Sequence, residues 1–507
     1  MNISTNYLTL FKLSANLYVL KVYPTLPILF IHNLYFPPMA TTPLPVNPDG
    51  TALKGIRGQV LTFKADPFLN NEKECYDYYP DGLIVMQDGH IINVGDYTAV
   101  AKLYTQLKDI DTYTDAVIMP GFIDCHVHYV QSPMIGSFGD TLLQWLNEYT
   151  FPTEAKFKDK AFADEVARMF FRQLLEQGTT TANVFATTFA TSVDAFFEES
   201  ERYNTRMISG KVLQDRNLPD SLKDESAEES ILLTEKLLKK WHHRGRQLYA
   251  IIPRFAPTST PEQLQLAGEL YQRYIDQGVY MHTHLDEVQS EIDWVTQLFP
   301  DQPNYTEVYK HFGLVGRRSV MAHCCIVREE EWQELHRCEC GVAHCPSSNL
   351  FLGDGEFKYW EAKNPTRPVR VGMGTDVGGG TNFSIPRQLN EAYKVAMLQM
   401  KNLTAIKSFY LATRGGAEAL HLENTIGSIA PGYEADIAVV DLKPSEFAAW
   451  RMKFSDDLFE KLFVVMTLGL NNVNLATYVA GKKVFDRSRT PSHLYASEIP
   501  DTKISEK

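Results

Sequence analysis

The sequence predicts an α/β protein: a (β/α)8 TIM-like barrel with a smaller β-sandwich domain formed from both chain ends. Three observations predict it. Between residues 119 and 429, short apolar strand-like runs alternate with amphipathic helical stretches such as 226–241 and 261–276, the rhythm of repeated βα units. Both ends of the chain instead carry β-prone runs separated by turns. Several central runs end in histidine or aspartate, where the strands of a barrel converge on one face.

Composition narrows the classes further. The 507 residues suit a barrel with one attached domain, and 44% hydrophobic with 22% charged residues describes a soluble chain that buries a core. A disordered or fibrous protein is excluded. The net charge of -13, with no cluster of Lys and Arg, repels nucleic-acid phosphates, so no nucleic acid partner is expected, and any nucleobase acted on would be a free base. Seven cysteines at irregular spacing (Cys75, Cys125, Cys324, Cys325, Cys338, Cys340, Cys345) do not form a disulfide framework. They point to a reducing, cytoplasmic setting and to buried inert thiols.

In chain order, residues 1–48 hold no Asp or Glu and read as an N-terminal extension, disordered or not translated, with Met39 as an alternative start. Lys21, Pro24, Pro27 and His32 interrupt its apolar centre, and a spanning helix needs about 18 apolar residues, so no stable membrane insertion is expected. Runs at 59–63, 82–86 and 91–94 predict a small antiparallel sheet. Runs at 437–441 and 477–484 predict its completion from the other end, giving a β-domain of 49–118 plus 430–490 around a barrel of 119–429, with a tail at 491–507. Residues 215–229 read as a loop passing into a helix.

The strongest chemical signal is Pro120-Gly121-Phe122-Ile123-Asp124-Cys125-His126-Val127-His128. Alternation along a strand puts His126 and His128 on one side, which is half a metal site. Two polar strand-end histidines are the bland reading, and alone it is preferred. Three later runs shift the balance: one ends at His284, one at His323 and one at Asp376. In a barrel His126, His128, His284, His323 and Asp376 meet, and imidazoles with one carboxylate suit zinc, or iron, better than magnesium or calcium. Bound zinc lowers the pKa of its water from about 15.7 to about 7, and that chemistry needs a proton carrier. Glu287, three residues past His284, is placed for it; the alternative is an acid stabilised by a helix N-terminus. Asp376 can both touch the metal and accept a proton.

These motifs resemble the amidohydrolase superfamily and, within it, the guanine deaminase family, over about residues 120–441. The resemblance rests on the His126 to Gln131 segment, Leu143-Gln144-Trp145-Leu146 with Tyr149-Thr150-Phe151-Pro152, Gly178-Thr179-Thr180-Thr181-Ala182 and Pro253-Arg254-Phe255. It also rests on His284-Leu285-Asp286-Glu287, Met321-Ala322-His323, His344-Cys345-Pro346-Ser347-Ser348-Asn349 and Gly374-Thr375-Asp376-Val377-Gly378-Gly379. It implies hydrolysis of free guanine to xanthine and ammonia in purine catabolism, and one Zn2+ per subunit held by His126, His128, His284, His323 and Asp376. It implies catalysis by Glu287 and Asp376, and a substrate pocket of His128, Gln131, Trp145, Arg254, Phe255, His284, Glu287 and Asp376. A homodimer is implied as well. Two-metal relatives carry a bridging lysine after the fourth barrel strand, where this chain offers Arg254, whose bland alternative is a strand-end salt bridge. Tyr129, Val130, His282 and Asp286 depart from the family pattern and bear on fine specificity. His344 reads as a residue supporting the ligands from behind or as a structural one. The rival readings are deamination of another aminated purine or triazine ring, and a non-catalytic scaffold. Turnover of those rings separates the first, and the complete ligand set speaks against the second.

Overall fold

A computed structural model describes residues 42–139, 142–469 and 473–488. The chain enters through four strands: β1 (Lys54–Phe63), β2 (Tyr76–Gln87), β3 (His90–Asp96) and β4 (Asp109–Pro120). Asp88 and Gly89, both at positive φ (51° and 79°), make the two-residue turn between β2 and β3, the geometry an Asp-Gly pair favours in a hairpin. β1 pairs antiparallel with β2 but parallel with β4, so this sheet is mixed where an antiparallel one was expected. A helix, Tyr97–Leu103, carries the crossover that parallel pairing requires. The chain then turns into the barrel at Gly121, where an added Cβ would lie 2.1 Å from Thr180 Oγ1 and no larger residue fits.

The barrel strands are β5 (Phe122–His128), β6 (Thr179–Phe185), β7 (Arg206–Gly210), β8 (Val212–Leu213), β9 (Leu248–Pro253), β10 (Tyr280–Leu285), β11 (Ser319–His323), β12 (Gly341–His344) and β13 (Arg370–Met373). Eight of them run in the order β5-β6-β7-β9-β10-β11-β12-β13, neighbours parallel, while the short β8 pairs with β9 beyond the end of β7. The ring joins just past β13: Asp376 N donates to His126 O at 2.9 Å and His128 N to Val377 O at 3.0 Å. Every residue of β5 and β6 is buried, as expected of strands covered on both faces. The helical rhythm holds where it was read: Ala227–Trp241 starts at Ser226, whose side chain accepts from Glu229 N, and Pro261–Tyr274 starts at Thr260, which caps Gln263 N.

After the barrel the chain returns through β14 (Ile437–Asp441), β15 (Asn474–Val479) and β16 (Lys482–Asp486). These complete a seven-stranded sheet of order β16-β15-β14-β4-β1-β2-β3, so both chain ends build the smaller domain. Alternation along β2 sends Ile84 to one apolar cluster, with Ile56 and Val439, and Leu83 and Val85 to another, with Ile92 and Val100. Residues 44–47 already belong to this domain, since Leu44 N donates to Ile92 O at 2.8 Å and Asn47 N to Gln87 Oε1 at 2.8 Å. The rest of the expected extension, residues 1–41, and the tail at 491–507 lie outside the described residues. No helix among the described residues is long and apolar enough to cross a membrane. All seven cysteines are free thiols.

Candidate active site

The predicted residues come together at the C-terminal mouth of the barrel. His126 and His128 share one side of β5, and His282 and His284 one side of β10; Arg254 and Phe255 follow β9; Glu287 follows β10; His323 ends β11; Asp376 lies three residues past β13. Three positions here have left-handed backbone, rare for residues with a Cβ: Asp286 (φ 51°), His323 (φ 71°) and Asp376 (φ 46°). Surrounding packing must hold such conformations, and they concentrate at working sites.

The innermost layer has the donor chemistry of a metal site. Asp376 Oδ1 lies 3.1 Å from His126 Nε2 and 3.4 Å from His128 Nε2, and His128 Nε2 is 3.3 Å from His284 Nε2. His126, His128, His284 and Asp376 thus form a buried group whose ligand atoms can all reach one cation. His323 stands at its edge, Nε2 3.8 Å from Asp376 Oδ2 and Nδ1 3.6 Å from Glu287 Oε1. Outer contacts aim the rings. His284 Nδ1 donates to Arg254 O at 2.8 Å, leaving Nε2 as the lone-pair nitrogen, and His126 Nδ1 is 2.9 Å from His282 Nε2. Burial, then Arg254, holds the His126 imidazole at about 3, and burial lowers His128, His284 and His323 as well. Neutral imidazoles are the state that ligates. Among the described residues His126 Nε2 and His323 Nε2 are buried without a hydrogen-bond partner, which a cation would satisfy.

Above this layer opens a cavity lined by His128, Gln131, Trp145, Leu146, Arg254, Phe255, His284, Glu287, Leu352, Asp376 and Gly379. All eight residues expected to touch substrate are on its wall; His126 and His323 lie one layer deeper. Trp145, Leu146, Phe255 and Leu352 give it apolar sides, and Arg254 and Gln131 give it polar ones. The Arg254 alternative also holds, because its Nη1 donates to both oxygens of Glu154 at 3.0 and 2.9 Å. Glu287 is buried, and its carboxyl is pushed well above the usual range by burial and by the nearby Asp354, Glu291 and Asp376. Burial and crowding thus favour its uptake of a proton.

Sequence reading missed the supporting shell. His282 stood out only as a departure, although it orients His126. Asp124, inside the motif, clamps two barrel ends by accepting from His126 N at 3.2 Å and Thr375 N at 3.0 Å. Asn349 Nδ2 lies 2.9 Å from His323 Nδ1. Glu154 follows the Tyr149–Pro152 motif by two residues, and nothing local marks it. His344 is structural as expected, bonded to Tyr359 OH at 2.5 Å and stacked on Phe357.

This fold with this site defines a metal-dependent hydrolase, and the chain belongs to the amidohydrolase family, whose model matches residues 117–484. Its relatives within the family include guanine deaminases. It is 43% identical to the guanine deaminase of Escherichia coli over 442 residues, covering 86% of this chain and 98% of that one. The solved E. coli guanine deaminase superposes with a TM-score of 0.82 at 44% identity, covering 86% of this chain and all of that one (100%). The guanine deaminase of C. acetobutylicum, solved with guanine in its active site, gives 0.76 at 28% identity, covering 85% and 100%.

Proposed function

We infer that this chain deaminates guanine: water attacks the ring carbon that bears the exocyclic amine, the carbon–nitrogen bond breaks, and xanthine and ammonia leave. The observation that carries this reading is one cavity combining a His3Asp donor group, a carboxyl poised for proton transfer and an Arg–Gln–Phe wall, in a chain with such relatives. The donors fit zinc, one per subunit, at His126, His128, His284 and Asp376 with His323 beside them. Zinc held there supplies Lewis acidity that brings the pKa of water toward neutrality.

The remaining steps belong to the side chains. Glu287 takes the proton of the attacking water and returns it to a ring nitrogen; Asp376 accepts the second proton and passes it to the departing amine. Arg254 donates to ring acceptors, Gln131 bonds the ring edge, and Phe255 packs on the base. Leu146 and Leu352 keep bulk water from the reacting atoms. The substrate is free guanine, in keeping with the charge of -13. The seven free thiols support a cytoplasmic enzyme. A homodimer is the assembly we propose from the family resemblance. The division into 49–118 with 430–490 and 119–429 finds support in the Gly121 junction and the return strand β14.

The test is ammonia release from guanine, adenine, cytosine and a triazine by the purified protein, before and after zinc is stripped and restored. Zinc-dependent turnover of guanine alone is expected. Turnover of a triazine but not guanine would replace the substrate, and full activity without metal would overturn the zinc assignment.

A further inference from the structure

Glu154 is fully buried yet does not reach the wall of the cavity. It ends the short helix Phe151–Glu154 and stands behind the two groups that read the base. Its Oε1 accepts from Gln131 Nε2 at 3.0 Å, and both its oxygens accept from Arg254 Nη1, at 3.0 and 2.9 Å. Among the described residues its side chain bonds nothing else. Gln131 is held from its other end too, because its Oε1 accepts from Gly378 N at 3.2 Å. The Arg254 guanidinium also lies 5.7 Å above the Phe151 ring, from the same helix as Glu154.

Two consequences follow from elementary chemistry. A carboxylate only accepts hydrogen bonds, so Glu154 determines which way the Gln131 amide faces: nitrogen toward Glu154, oxygen toward Gly378. It also anchors one arm of the planar guanidinium, which fixes the plane in which Arg254 offers its remaining donors. The second consequence is charge. A guanidinium is always cationic, and beside a buried cavity its field acts at low dielectric. Paired with Glu154 it contributes no net charge. Guanine is neutral, whereas xanthine, with a second ring carbonyl, gives up a ring proton more readily. An unpaired guanidinium in the wall would favour the product anion over the substrate.

We propose that Glu154 is a positioning residue for base recognition: it holds Arg254 and Gln131 in the pose that reads guanine and cancels the guanidinium charge so that anionic xanthine is not retained. This rests on guanine deamination as the reaction. A merely structural role for Glu154 predicts that all ligands weaken together; the charge argument predicts that guanine weakens while xanthine does not.

The experiment compares wild type with Glu154→Gln, Glu154→Asp, Arg254→Gln and the double variant Glu154→Gln/Arg254→Gln. It reads kcat and KM for guanine, the inhibition constant of xanthine at mildly alkaline pH, and zinc content. For Glu154→Gln the KM for guanine is expected to rise about tenfold or more, with kcat falling by less and zinc content unchanged. Xanthine inhibition is expected to hold or tighten, and Glu154→Asp to recover most of the KM. The Glu154→Gln and Arg254→Gln effects are expected to be non-additive, since the two residues act as a unit. An unchanged KM in Glu154→Gln, or equal weakening of guanine and xanthine, overturns the proposal and leaves the reaction assignment standing. If Glu154→Gln does not fold because Arg254 is left buried and unpaired, the double variant decides, since it orphans no charge. There xanthine inhibition is expected to recover relative to Arg254→Gln, in which Glu154 is left as an unpaired anion behind the cavity, and xanthine inhibition no better than in Arg254→Gln overturns the proposal. Wild-type protein that is zinc-replete and inert toward guanine removes the reaction assignment, and this proposal with it.

Discussion

The two ends of the barrel handle buried charge in opposite ways. At the floor, where the barrel meets the terminal sheet, Arg206 at the start of β7 and Arg246 just before β9 face Glu434 and Asp436, which lead into β14. Arg206 Nε donates to Glu434 Oε2 at 2.7 Å, and Arg246 donates to Glu434 Oε2 and Asp436 Oδ1, each at 3.1 Å. Two cations meet two anions, and despite burial the arginines hold the Glu434 carboxyl below its usual range. At the mouth, imidazoles converge on Asp376, carboxyls crowd one another with raised pKa values, and strand ends adopt left-handed backbone. The floor pairs opposite charges and serves cohesion; the mouth gathers ligating imidazoles and crowded carboxyls, and serves chemistry.

Substitutions at each end test this contrast. The largest effect is expected at the mouth: Glu287→Gln lowers kcat by about 10²–10⁴-fold while zinc content and the thermal midpoint stay close to wild type. A comparable loss of stability there would erase the distinction. At the floor, Arg246→Ala leaves Asp436 buried without its cationic partner, while Glu434 keeps Arg206, and costs about 3–5 kcal/mol in urea unfolding, with kcat/KM of the folded fraction nearly unchanged. Turnover lost without a change in midpoint would reverse the assignment of roles.

Acid sharpens the comparison. Burial holds His126, His344 and His421 at about 3, against an ordinary 6.5, so the folded state binds fewer protons than the unfolded one. The stability these imidazoles contribute to the metal-free protein therefore falls as pH drops from about 6.5 toward 3, while buried carboxyls such as Asp124 and Asp354, raised to about 7, act in the opposite sense. The Glu434 pairing, with a depressed carboxyl, persists until pH falls below the ordinary 4.5. Between pH 6.5 and 4.5 the urea midpoint of wild type is expected to fall more steeply than that of His421→Gln, which removes one of these imidazoles, and parallel profiles would contradict its buried neutral state. The smallest effect belongs to the surface: Lys443 and Asp115, paired at 2.8 Å but about half exposed, are worth roughly 0–1 kcal/mol, so Lys443→Ala is expected to leave both midpoint and turnover in place.

Much of the site was legible because its signals are local. Two histidines at spacing two must share a strand face, an apolar run ending in Asp376 marks a strand end, and alternating runs and amphipathic stretches announce βα units. Period and residue chemistry along the chain thus determined the barrel, the donor set and Glu287. Only the tertiary structure decided the rest. Glu154 meets Arg254 across 100 residues and Gln131 meets Gly378 across 247, and the parallel pairing of β1 with β4 turns on a crossover rather than on either strand. Such contacts leave no periodic trace, because each depends on where separate elements pack and not on any residue's immediate neighbours.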